Sequence, residues 1–366
     1  MPTADEAGLT IEALPVRQGD CTLVTWGPHT DRHRMLIDAG PVPAYPAVHR
    51  RMSRLEPAER HLDVVVVTHV DADHIEGVLR LLNDASLGLT VGDVWFNGYQ
   101  HLPSDDFLGP VHGEMLGALL DERHLPWNAR FDGAAVSRAR GAPPAEVELD
   151  GGLRVTVLAP SDRELAALRP VWERECRRAG LVAGSSRDAL PRLQRTKKYN
   201  PLDSYLDPGD ALAELADTPT ADDDSEANAS SITLLLELDG GSALLAADAT
   251  PTALSSGLEA LSARRTGPTL AVDVLKLPHH GSSRNVTADV LRAVPAGTYL
   301  VSTDGSYFGH PHDIAMARVL TYGSSGGTLA FNHRTATTEE WSATGRSVGF
   351  GAVLPDEPAD GVRLEV

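Results

Sequence analysis

A run of four valines at 64–67 ends directly on THVDADHIEG at 68–77. An apolar segment just long enough for one buried strand thus delivers two histidines and two aspartates within six positions. Ile75, Val78, Leu79 and Leu82 follow at the spacing of one helical face, so the segment reads as strand, polar loop and amphipathic helix. Alternate side chains of an extended chain share a face, which aims His69 and Asp71 the same way as the chain leaves the sheet. Asp73 and His74 fall at the start of the helix, where Asp73 is also placed to cap it. Imidazole nitrogen and carboxylate oxygen are both good ligands for zinc, manganese or iron. Four such groups can serve two adjacent ions that take further ligands from elsewhere. The plain alternative is a polar turn with a capping aspartate.

Other strand ends offer those further ligands. Before the valine run lie the short strands LTIEALPV, CTLVTW and RMLIDAG and a helix over 45–60. After it come a strand at 92–99, a helix at 111–124 and a strand at 153–160. Strands resume with SITLLLEL and SALLAADA, followed by a helix at 251–264, the strand VDVLKLP, a helix around 287–293, the strand TYLVST and the helix DIAMARVLTYG. The tail reads as strands GTLAFNHRT, SVGFGAVL and VRLEV. Asp248 closes one of these apolar strands, and His279 and His280 follow another. Two β-rich halves, each followed by helices, imply an α+β fold with two sheets face to face and helices outside.

Residues 161–228 have a different texture: a charged helix, the basic loop RLQRTKKYNPLDSYLDP and the acidic TADDDSEANAS. So long and aperiodic a connection marks an insertion within one domain spanning 1–366, serving as a lid or an interaction arm. A net charge of −19 over 366 residues gives no general attraction to nucleic acid or anionic lipid. An anionic substrate then needs metals, helix N-termini or a local basic patch. Two cysteines, Cys21 and Cys176, are too few for a disulfide framework or a zinc ribbon. No secretory signal and no membrane span is read, so a cytoplasmic location is expected.

The motifs VRQGDCTLV, LIDAG, THVDADHIEG, NASSITLLL, LLAADA, LKLPHHGSS and YFGHPHD occur in this order along the chain. In this they resemble the metallo-β-lactamase-fold hydrolases, and in detail the subgroup typified by the C-terminal hydrolase domain of the DNA-uptake protein ComEC. The resemblance implies a four-layer αβ/βα sandwich holding two divalent metal ions, zinc or manganese, with hydrolysis by a metal-bridging hydroxide. Carried over by motif, His69, Asp71, Asp73, His74, Asp248 and His280 are the metal ligands. His280 is preferred to His279 because the family's ligand directly precedes the small residue of that block. Asp38 becomes a buried acceptor behind the ligands, and Asn228 and Ser230 stand where the wider superfamily often has another histidine. That superfamily also usually has histidine in place of Asp71, so this centre is richer in oxygen, which moves preference from zinc towards manganese.

Three carboxylates against two divalent ions leave a formal charge of about +1, which suits a phosphodiester anion. Asp73 is expected to orient the nucleophile. His310 is expected at the mouth as a phosphate donor or leaving-group acid, and His279 as a further substrate contact. The first functional reading is therefore a phosphodiesterase or nuclease acting on an anionic substrate such as single-stranded nucleic acid. Arg195, Lys197 and Lys198 of the insertion are expected to hold the phosphate backbone. The alternatives are a hydrolase of small esters (a phosphocholine ester, lactone or thioester) and a metal-stabilised interaction protein with a vestigial site. As an arm rather than a lid, the 161–228 insertion is expected to mediate a homodimer or a multi-protein complex.

Overall fold

Val64 and Val66 face one side of their strand and Val65 and Val67 the other, yet all four are buried. A strand covered on both faces is what an unbroken valine run specifies. It lies inside a computed structural model that describes residues 8–102, 111–139, 141–179, 212–265, 267 and 269–366.

Six strands form the first sheet: β1 (Thr10–Ala13), β2 (Thr22–Trp26), β3 (His33–Ile37), β4 (His61–Val66), β5 (Thr90–Trp95) and, last in the chain, β14 (Val362–Glu365). They are ordered β14-β1-β2-β3-β4-β5. Eight strands form the second sheet: β6 (Ala145–Glu148), β7 (Arg154–Ala159), β8 (Thr233–Leu238), β9 (Gly241–Leu245), β10 (Val272–Lys276), β11 (Ala296–Val301), β12 (Thr328–Phe331) and β13 (Gly351–Val353). Their order is the reverse of the sequence, β13 to β6. Pairing is parallel from β3 to β5 and from β9 to β13, so the loops leaving these strands gather at their C-terminal ends.

Ile11, Val24, Met35, Val64 and Val66 meet Val155, Leu234, Leu236, Val274 and Leu300 in the core between the sheets. The outer face of the first sheet packs under α1 (Tyr45–Ser53), α2 (Ala72–Asn83) and α3 (Val111–Arg123). That of the second packs under α7 (Pro251–Ser262), α8 (Ala288–Ala293), α9 (Asp313–Tyr322) and α10 (Ala336–Ser347). The layers are therefore helix, sheet, sheet, helix: the αβ/βα sandwich that the sequence implied. Each fully buried valine or leucine in these three cores contributes roughly 1.5–3 kcal/mol.

Two local readings change. The helix expected over 45–60 stops at Ser53, because Pro57 holds Glu56 in an extended conformation (φ −59°, ψ 145°) and only a 3-10 turn follows at Pro57–Glu59. In the tail, α10 lies unforeseen between β12 and β13. Its buried face is Thr338, Trp341, Ser342 and Gly345, which offers no apolar stripe to read.

The described flanks of 161–228 belong to opposite helical layers. In α4 (Asp162–Ala179), Leu165, Leu168 and Trp172 join the core under the first sheet, and Trp172 donates to Glu114 at 3.2 Å. At the other flank, α5 (Leu212–Ala216) packs on α9, whose buried Arg318 donates to the carbonyls of Ala216, Thr218, Ser283 and Val286 at 2.7–3.1 Å. The short α6 (Glu226–Ala229) then leads into β8. Arg195, Lys197 and Lys198 lie outside the described residues. No helix among the described residues is long and apolar enough to cross a membrane.

Candidate metal centre

Each candidate ligand leaves the C-terminal end of a parallel strand. His69 follows β4, Asp71 is the N-cap residue of α2, and Asp73 and His74 lie in its first turn. The expected capping role of Asp73 thus passes by position to Asp71, whose side chain makes no capping bond. Asp248 follows β9, His280 follows β10, and His310 lies on the loop after β11. Asp38, Ala247, His279 and His280 all have positive φ, between 47° and 55°. Left-handed backbone at non-glycine residues costs about 1–3 kcal/mol each and gathers at functional sites. Gly19 closes the arrangement from the other side: a Cβ there would lie 1.9 Å from the Asp73 carbonyl oxygen.

Three imidazoles converge on one carboxylate. Nε2 of His74, His280 and His69 lie 3.3, 3.5 and 4.0 Å from Oδ2 of Asp248. All three Nε2 atoms are buried and without hydrogen-bond partners, as is Oδ1 of Asp248. Ligands at about 2.0–2.2 Å around a tetrahedral ion stand roughly 3.3–3.6 Å apart, so the His74 and His280 spacings suit a shared cation and His69 stands slightly farther out. His69, His74 and Asp248 form one group with donor atoms within 4.8 Å of one another, and Asp73, His74 and His280 form another. Asp71 stands at the rim, its side chain half exposed and 3.7 Å from His69 Nε2.

Hydrogen bonds behind the rings decide which nitrogen faces inward. His74 Nδ1 donates to Asp38 at 2.8 Å, and His280 Nδ1 donates to the Ser302 carbonyl at 2.9 Å. The Thr68 hydroxyl is committed to Asp38 at 2.6 Å, so its oxygen accepts from His69 Nδ1 at 3.0 Å. Each Nδ1 is thereby engaged, and each Nε2 is turned to the centre, where it could serve a metal ion. Burial opposes charge on His74, but Asp248 and Asp38 outweigh it and raise its pKa well above the ordinary range. Burial likewise opposes ionisation of Asp248, and the facing His280, His74 and His279 hold its pKa well below normal.

His279 also faces Asp248, but it is partly exposed and belongs to neither donor group. Its Nδ1 lies 3.1 Å from Asn285 Oδ1 and 3.3 Å from Asp223, while Nε2 stands 3.8 Å from Asp248. Desolvation would lower its pKa, but Asp248 and Asp223 raise it to about 9. Asn228 reaches this corner by donating to Asp223 at 2.7 Å. Ser230 instead closes the turn of α6 by donating to the Ala227 carbonyl at 2.6 Å. His310 is buried, its ring 5.2 Å from that of His279 and 6.1 Å from that of His280. Burial first, and then the three neighbouring imidazoles, push its pKa well below 6.5.

Reading the sequence passed over Asp20, Lys276 and Asp223. Lys276 and Asp20 form a buried ion pair behind the cluster, the ammonium also donating to the Ala247 carbonyl at 3.1 Å and lying 3.9 Å from Asp248. Asp20 comes within 3.3 Å of His280 Nδ1. Burial favours the neutral acid, yet Lys276 and His280 hold its pKa far below the usual carboxylate value. A lysine inside the apolar VDVLKLP was the legible signal. Asp223 looked like one more solvated charge in DDD, but it is buried and accepts from Asn228, Asn285 and the Ser225 amide.

Among solved structures, the chain resembles a metallo-beta-lactamase fold protein, YhfI from Bacillus subtilis (10% identity, TM-score 0.43, 99% of this chain and 100% of that one). It also resembles the E377D mutant of the CmlA beta-hydroxylase (12% identity, TM-score 0.39, 100% of this chain and 54% of that one). No curated protein matches it. Residues 14–147, which hold the strands and helix that carry Asp20, Asp38 and THVDADHIEG, match the family model described as Metallo-beta-lactamase superfamily.

Proposed function

We propose that this protein is a metal-dependent phosphodiesterase whose substrates are nucleic acids. The observation that carries the reading is the set of three buried, unpartnered Nε2 atoms with Asp248 and Asp73 beside them. His69, His74, His280, Asp73 and Asp248 would hold divalent metal, zinc or manganese. When bound, the metal supplies Lewis acidity and activates water near neutral pH.

The chain's own groups do the rest. Asp38, Thr68 and Ser302 engage the imidazoles at Nδ1, which leaves Nε2 as the nitrogen that would ligate. Asp73, partly exposed beside His280, is the carboxylate placed to orient a water. His310 in its neutral form still has one N–H, which makes it a hydrogen-bond donor to a phosphoryl oxygen rather than a proton source for the leaving group. His279, partly exposed and braced by Asp223, is the second donor at the mouth.

The test is metal analysis joined to a hydrolysis screen with manganese or zinc. Substrates span bis-p-nitrophenyl phosphate, single-stranded and duplex DNA, RNA, a p-nitrophenyl phosphocholine ester and simple carboxylic esters. Turnover of polynucleotides, lost with Asp73→Ala while the fold is kept, supports the proposal. Turnover confined to the carboxylic or phosphocholine esters replaces it with the small-ester reading.

A further inference from the structure

Phe308 is 63% exposed, the most exposed large apolar side chain among the described residues, and it has positive φ (56°). For a bulky residue the left-handed region is a real outlier, costing about 1–3 kcal/mol. Burial does not offset that cost here. The next residue is Gly309, also left-handed (φ 65°), so the turn already uses glycine where geometry alone requires one. Something other than folding accounts for an aromatic ring at 308.

The loop that carries it is pinned. The Asp304 amide donates to the Arg17 carbonyl at 3.0 Å, the Ser306 amide to Asp304 at 2.9 Å, and His312 Nε2 to the Phe308 carbonyl at 3.3 Å. Rings then step inward from solvent. Tyr307 packs edge-on against Phe308 (4.2 Å, 83°), Phe308 lies 5.9 Å from His310, and His310 contacts both His279 and His280.

We propose that Phe308 is the stacking platform for a nucleobase adjoining the phosphodiester at the metal centre. The inference rests on the phosphodiesterase reading and names the part of the substrate that this loop recognises. A chain with net charge −19 repels a polyanion, and stacking supplies attraction that needs no cation. A row of π faces leading away from the site suits a planar base. A quaternary ammonium is instead held by several rings enclosing one point, whereas Phe308 has Tyr307 edge-on and His310 tilted at 36°.

The experiment compares wild type with Phe308→Ala, Phe308→Leu and Phe308→Trp on single-stranded oligothymidylate and on an abasic strand of equal length. Kinetics are measured with manganese, and equilibrium binding by anisotropy on the metal-free protein. Phe308→Ala and Phe308→Leu should weaken binding of the thymidylate strand about 5- to 100-fold and raise its KM similarly. Phe308→Trp should preserve both, kcat should change little, and the abasic strand should not respond. Equal responses of the two strands, or full function of Phe308→Leu, would overturn the stacking role. If no strand is hydrolysed but thymidylate binding still depends on Phe308, the hydrolytic reading falls and the platform stands.

Discussion

Asp38 holds two of the three inward-facing histidines, His74 directly at 2.8 Å and His69 through the Thr68 hydroxyl. One fully buried carboxylate at the end of β3 therefore sets the orientation of rings on the neighbouring strand and helix. Asp38→Ala would leave the Thr68 amide, the Thr68 hydroxyl and His74 Nδ1 without their acceptor. Breaking a buried charged network of this kind costs about 3–5 kcal/mol, so a marked fall in unfolding temperature is expected. Asp38→Asn keeps the volume but not the charge, and should weaken metal affinity about 10- to 100-fold. Thermal unfolding and metal titration of both variants check this. Unchanged metal affinity in a stable Asp38→Asn protein would remove Asp38 from its supporting role.

Metal binding should appear as stability. A ligand that binds only the folded state at 100 times its dissociation constant adds about 2.7 kcal/mol. Chelator-treated protein should therefore gain thermal stability when manganese or zinc is returned. Asp248→Asn, which weakens the carboxylate that all three imidazoles face, should lose most of that gain. An equal shift in wild type and variant would place the metal elsewhere.

The Lys276–Asp20 pair calls for a double-mutant cycle. Lys276→Met leaves a buried carboxylate uncompensated, with an expected loss of about 3–5 kcal/mol. Adding Asp20→Asn removes the orphaned charge, so the double variant should be more stable than Lys276→Met alone. Denaturant unfolding of the four proteins measures the coupling, and strict additivity would show that the two groups do not interact.

Patterns rooted in burial were the legible part of the sequence. A valine run covered on both faces, followed by a helix with apolar residues at three- and four-residue spacing, could be read directly, and with it the placing of His69 and His74. Buried polar residues were harder. Asp223 and Asp20 reveal themselves only through partners such as Asn285 and Lys276, which are distant in the chain. The α10 helix escaped because Thr338, Ser342 and Gly345 pack as well as apolar residues where space is tight, yet leave no hydrophobic period.

His101 offers a pH test away from the metal centre. It sits near Trp127, their rings 5.0 Å apart, and its Nδ1 accepts from the Gly98 amide at 3.1 Å. A protonated ring would present two N–H groups and lose that bond. Burial lowers its pKa from 6.5 to about 4. Between these values the unfolded chain binds the proton and the folded one does not, so stability falls as pH drops. The contribution is complete above about pH 6.5 and gone below about pH 4, with a limiting slope of about 1.4 kcal/mol per pH unit. Other titrating groups cancel when wild type is compared with His101→Asn, whose amide oxygen can still accept from Gly98. The variant should be flatter than wild type by up to that slope between pH 6.5 and 4, and parallel to it above pH 7. Denaturant unfolding at half-unit steps measures the difference, and curves parallel throughout would mean that His101 titrates alike in both states.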